Sequence, residues 1–111
     1  EALEEVLGIL LKSNRIDIAG GVELAIATCL VEIGEIERAK ESFEQGVKKI
    51  GDTGILDTDI AGTTELFGDK ASASGRTKLA RRAWGLALVH WENLGDLERL
   101  ESTRAKLAWL D

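Results

Sequence analysis

The stretch VELAIATCLVEIGEIERAKESFEQGVKKI, residues 22–50, decides the fold. Its apolar residues recur at intervals of three and four, the rhythm of a helix rather than the alternation of a strand. Val22, Ala25, Ile26, Cys29, Leu30 and Ile33 fall on one stripe, and Leu24, Ala27 and Val31 fall on a second. A helix apolar over that much of its circumference must touch neighbours on two sides. Gly34 and Glu35 then make a tight turn, and a second helix from Ile36 to about Ile50 turns Ala39, Phe43, Gly46, Val47 and Ile50 inward while its outer face is charged.

Outward from this hairpin the rhythm continues on both sides. Leu3, Val6, Leu7, Leu10 and Leu11 predict an amphipathic N-terminal helix over 1–14, with Glu1, Glu4 and Glu5 in the turn where the helix dipole favours negative charge. Between Gly51 and Lys78 the rhythm fails, and five glycines interrupt a run rich in Thr, Ser and Asp. This segment reads as an irregular inserted loop, 51–77, with a short helix between Asp57 and Phe67 and its most mobile part over 68–75. Thr77 suits an N-cap. From there Ala80, Ala83, Trp84, Ala87, Trp91 and Leu94 share a face, Gly95 and Asp96 turn the chain, and a last helix carries Leu97, Leu100, Leu107 and Leu110. The expectation is one all-α domain over 1–111, with hairpins at 21–50 and 78–111.

Composition narrows the chemistry. Fourteen Lys and Arg against twenty Asp and Glu give a net charge of −6, which argues against a nucleic-acid binder that works by neutralising phosphates. Apolar residues at 44 % and charged residues at 31 % are proportions of a globular chain, not a disordered one. No run reaches the roughly 18 apolar residues needed to span a bilayer. The lone Cys29 has no cysteine to pair with, and no zinc site can be built from it, which points to an intracellular, reducing compartment. On its buried stripe it reads as an inert apolar filler. The chain opens on Glu1 and holds no methionine, as a trimmed or processed chain would.

No catalytic or metal constellation emerges. His90 is the only histidine, and nothing assembles a nucleophile, a base and an orienting group. Asp57, Asp59 and Gly62 mimic a calcium loop, but Ala61 and Gly68 stand where its fifth and twelfth ligands belong. Gly51, Gly54 and Gly62 lack the lysine of a phosphate-binding loop. The chain reads as non-enzymatic and without a cofactor.

Superposing Gly34 on Gly95 sets Leu30 on Trp91, Ile36 on Leu97, Ala39 on Leu100 and Val47 on Ala108, so the two hairpins share a design. With Trp84, Trp91, Gly95 and Asp96 in one copy, and Gly34, Ala39, Phe43 and Gly46 in the other, the chain resembles the tetratricopeptide repeat (TPR) family, whose unit of about 34 residues is a helix pair. The departures are Ile26–Ala27 and Ala87–Leu88 at the family's leucine-glycine pair, Arg104 at an aromatic position, and no closing proline. The glycines lie 61 residues apart, so about 27 residues are inserted relative to tandem repeats. The resemblance covers roughly 60 residues.

The resemblance implies a TPR-like α-α superhelix with a concave face that recognises a protein or peptide. Its first helices would present Leu24, Thr28, Val31 and Glu32 in one hairpin, and Arg82, Gly85, Val89, Glu92 and Asn93 in the other. Leu24 and Val31 serve equally well as groove contacts or as packing for the N-terminal helix or the inserted loop. The clamp by which some family members grip a chaperone's carboxylate tail needs lysine and asparagine where this chain has Leu24, Thr28, Gly85 and Val89, so no such clamp is expected. Trp84 and Trp91 read as core packing, and Trp109, off the inward stripe, as a junction or dimer contact. Arg76, Lys78, Arg81 and Arg82 form a basic patch at a helix N-terminus, either docking an acidic partner segment or paired with nearby carboxylates. The expected function is a protein-interaction module, adaptor or scaffold. The alternative is a structural self-association domain, which leaves a homo-oligomer open.

Overall fold

The structure is a computed structural model that describes residues 4–5, 16–53 and 57–110. Among these residues it is all helical: α1 (Ile16–Glu32), α2 (Ile36–Thr53), α3 (Thr58–Ala73), α4 (Thr77–Leu94) and α5 (Leu97–Leu110). Glu4 and Glu5 are helical, and the rest of the expected N-terminal helix lies outside the described residues. The chain divides into two compact units, Glu1–Ile55 and Leu56–Asp111.

In the first unit α1 packs against α2. Small residues set the spacing. A Cβ on Gly46 would stand 3.0 Å from the Gly20 carbonyl oxygen, and one on Gly20 would stand 3.3 Å from the Gly46 carbonyl oxygen. The two backbones therefore meet where neither carries a side chain. Around this contact Leu24, Ala27, Val31, Ala39 and Phe43 are buried. Of the two expected stripes, Leu24, Ile26, Ala27, Leu30 and Val31 are buried and Val22 and Ala25 partly so, while Cys29 is exposed and Ile33, just past the end of α1, is 70 % exposed.

In the second unit α4 packs against both α3 and α5. The segment expected to be an irregular loop is largely helix α3. Asp57 caps it, its Oδ1 accepting from the Ile60 amide at 2.8 Å, and Asp59 sits in the first turn where the dipole favours it. Its glycines and hydroxyl residues are poor helix formers, but Ile60, Ala61, Thr64, Phe67, Gly68 and Ala71 are buried on one side. Burial of that side supplies what propensity lacks. One further expectation shifts: Arg76, not Thr77, occupies the cap position of α4. Leu97, at the start of α5, is 71 % exposed.

One device ends α1, α3 and α4. Gly34, Gly75 and Gly95 have φ of 82°, 77° and 75°. In each case the glycine amide donates three residues back (to Val31, Ser72 and Glu92) and the next amide donates five back (to Leu30, Ala71 and Trp91). This is the glycine-closed helix stop that satisfies two terminal carbonyls. The third turn gives an internal repeat tighter than the pairing of Gly34 with Gly95. A shift of 41 residues sets Ala27 on Gly68, Leu30 on Ala71, Ala39 on Ala80, Phe43 on Trp84, Gly46 on Ala87 and Ile50 on Trp91, and every one of these residues is buried. The second copy of the hairpin is therefore α3–α4, with α5 added to it.

Candidate functional site

Buried tryptophans impose a requirement of their own, because each indole N–H needs an acceptor once water is gone. Trp84 and Trp91 lie seven residues apart on one face of α4, and both are buried. Glu65 and Asp69, four apart on α3, meet them. Trp84 Nε1 donates to Asp69 Oδ1 at 3.0 Å and Trp91 Nε1 donates to Glu65 Oε1 at 2.8 Å. From α5, Thr103 Oγ1 donates to the same Glu65 oxygen at 2.9 Å, and the Lys106 ammonium bonds Glu65 Oε2 and, at 2.9 Å, Asp69 Oδ1. The ammonium also lies 5.8 Å from the centre of the Trp84 ring, and Arg99 lies 5.2 Å from that of Trp91.

Electrostatics follow from this geometry. Burial works to raise the Glu65 pKa, but hydrogen bonds from Lys106, Trp91 and Thr103, together with the Lys106 charge, outweigh it and leave the carboxyl below the usual glutamate value. Burial likewise works to lower the Lys106 pKa, and its bonds to Glu65 and Asp69 with their charges leave it raised. Both groups are ionised at neutral pH. Apart from Leu100, the only buried residue of α5 is Thr103, so this polar cluster is a principal means by which α5 is held.

The first unit has a smaller counterpart. Glu23 is buried and pairs with Lys49, while Ser42 Oγ lies 3.0 Å from the Glu23 carbonyl oxygen and 3.1 Å from its Oε2. Among the described residues no buried side-chain nitrogen or oxygen lacks a hydrogen-bond partner.

An open cleft of about 520 Å³ lies beside the second cluster. Its lining comes from α3 (Asp69, Ser72, Ala73), α4 (Trp84) and α5 (Ala105, Lys106, Trp109). Trp109 is 81 % exposed, which places a large aromatic surface at the cleft with most of its area in water. The wall is mainly apolar, and the polar atoms at its edge already bond one another.

The expected groove residues divide. Leu24, Thr28 and Val31 are buried within the first unit, and the Thr28 hydroxyl donates to the Leu24 carbonyl at 3.0 Å. They are interior packing, which for Leu24 and Val31 is the second of the two readings their apolar stripe left open, and the two-sided apolar character of α1 is consumed inside its own unit. Glu32 is exposed. On α4, Arg82, Gly85, Val89, Glu92 and Asn93 share one side at helical spacing; Gly85 is half-buried, the others are exposed, and Val89 is 52 % exposed. Arg76, Lys78, Arg81 and Arg82 are all exposed around the start of α4, whose first turn holds no acidic residue. Cys29 is exposed and not the buried filler expected. Trp84 and Trp91 are core residues, as their spacing implied.

Glu65, Asp69, Thr103 and Lys106 escaped the sequence reading. The signal for them was the pair of tryptophans on a buried stripe, which demands two acceptors at matching spacing on a facing helix. Among the described residues no group of three His, Cys, Asp or Glu side chains is placed to hold a metal ion, and no helix is long and apolar enough to cross a membrane. No protein-family model, curated protein or solved structure matches the chain.

Proposed function

We propose that the chain is a non-catalytic, TPR-like helical-hairpin module, an adaptor or scaffold that binds a protein or peptide in the cleft of its second unit. The observation that carries this reading is Trp109, 81 % exposed on the wall of an apolar cleft. A tryptophan left in water beside concave apolar surface is the kind of anchor that protein interfaces use. The repeated small–aromatic–small register of Ala39, Phe43 and Gly46, and of Ala80, Trp84 and Ala87, supports the family likeness. The exposed Cys29 thiol, with no second cysteine in the chain, fits a reducing intracellular compartment.

The test is selection from an unbiased displayed-peptide library on the immobilised chain, with Trp109→Ala as the counter-screen. Enrichment of sequences that the variant fails to retain is the expected result. No enrichment, or equal retention by both proteins, would remove the reading. Sedimentation at several concentrations checks the self-association alternative, for which a strict monomer is the contrary result.

A further inference from the structure

The Trp109 cleft and the basic start of α4 belong to the same end of the second unit. Trp84, in the cleft wall, lies on α4 one turn beyond Arg81. Ser72 and Ala73, in the opposite wall, are the last residues of α3 before the Gly75 turn that leads into Arg76. Arg76 and Lys78 are exposed where the chain enters α4, and Asp69 is the single acid between positions 69 and 84. Asp69 is itself engaged by Lys106 and Trp84. The chain as a whole is acidic, so this end runs opposite to its net charge of −6. The partial positive charge of the α4 N-terminus, which no acidic side chain in its first turn offsets, adds to the local potential.

We propose that this end of the second unit docks an acidic peptide segment bearing one bulky apolar side chain, with the apolar side chain seated against Trp84 and Trp109 and the flanking carboxylates lying over Arg76 and Lys78. The inference rests on the proposed interaction function and adds the chemistry of the partner. An apolar anchor in a cleft supplies affinity, and opposite charge along the flank selects the partner and speeds its approach. A second copy of this chain is a poorer occupant, since net negative molecules repel as they approach. A duplex nucleic acid offers phosphate charge without the apolar anchor.

The experiment titrates the full chain with two designed short peptides that share a central Leu-Trp anchor, one flanked by Glu and the other by Lys, and follows binding by calorimetry. The Glu peptide should bind at least about tenfold tighter at low salt, and its affinity should fall by roughly tenfold as salt is raised from about 0.05 to about 0.5 M. Trp109→Ala should abolish binding of the Glu peptide. The double charge reversal Arg76→Glu with Lys78→Glu, at exposed positions outside the Glu65 cluster, should erase the preference; unchanged circular dichroism of the variants shows that the fold survives. Equal binding of both peptides, or library-selected sequences without acidic flanks, would overturn the inference while leaving an interaction module standing. Self-association that Trp109→Ala removes would overturn it in favour of a second copy, and binding to anionic phosphatidylserine vesicles that the Glu peptide does not compete away would overturn it in favour of a lipid surface.

Discussion

Trp91 and Glu65 are joined across the interior of the second unit, indole N–H to carboxylate at 2.8 Å. Neither residue suits that position without the other. The carboxylate would be a buried charge, and the indole a buried donor with no acceptor. Thr103 and Lys106 complete the arrangement from a third helix. Glu65→Ala leaves the Trp91 and Thr103 donors without their acceptor and should destabilise the protein by about 2–4 kcal/mol. Lys106→Met keeps an unbranched stem of similar reach and removes only the partly exposed head, so it should cost about half as much or less. Urea unfolding followed by tryptophan fluorescence distinguishes the two, and equal midpoints would show that Glu65 is not the centre of the cluster.

The same carboxylate sets a pH dependence. Its folded pKa is depressed, so its contribution is fully present above the ordinary glutamate value and is lost as pH falls through the lower folded value. Lys106 acts in the opposite sense: its raised pKa gives stability present below the ordinary lysine value and lost as pH rises through the folded one. His90, half-buried and lowered by burial, adds stability above the ordinary imidazole value that is lost as pH falls through its depressed one. Stability should therefore be flat from neutral pH into the mildly alkaline range and decline on the acid side. Glu65→Gln should flatten the decline below the ordinary glutamate value; an unchanged acid limb in thermal melts would contradict this assignment.

Gly68 and Gly62 stand on the same helix with opposite requirements. A Cβ on Gly68 would lie 2.4 Å from Trp84 Cδ1 and 2.6 Å from its Nε1, the atom bonded to Asp69. Gly68→Ala should cost about 1–3 kcal/mol through displacement of the ring, despite the better helix propensity of alanine. Around Gly62 nothing lies within 4 Å, so Gly62→Ala should stabilise by about 0.5–1 kcal/mol. Thermal midpoints moving in the same direction for both variants would contradict the packing described.

Cys29 is exposed on α1. In the native protein it should react with a water-soluble maleimide at a rate close to that of a small-molecule thiol, without prior unfolding. Labelling that requires denaturant would place the thiol inside after all.

These variants also mark what could be read before the structure was known. Ala39, Phe43, Gly46 and Ile50 follow the helical period without interruption, and all four are buried. Leu24 and Val31 were legible as apolar but not as interior, because a helix with two apolar stripes gives no hint of whether the second meets its own chain or a partner. The short helix expected between Asp57 and Phe67 is there, but it continues to Ala73 through the stretch expected to be mobile. Its full length was illegible for a local reason: Gly62, Thr63, Thr64, Gly68 and Ser72 are weak helix formers. Their small size is what the packing uses, as the contact of Gly68 with Trp84 shows.

The sequence by itself determined an all-helical chain and the chain reversals at Gly34 and Gly95, because helical period and glycine-closed stops are written within a few consecutive residues. Only the tertiary structure decided that Trp91 meets Glu65, and that Thr103 and Lys106 join them. Those partners lie 26, 38 and 41 residues from Glu65 along the chain. Hydrogen-bond need is a property of burial, and burial exists only once the helices have packed.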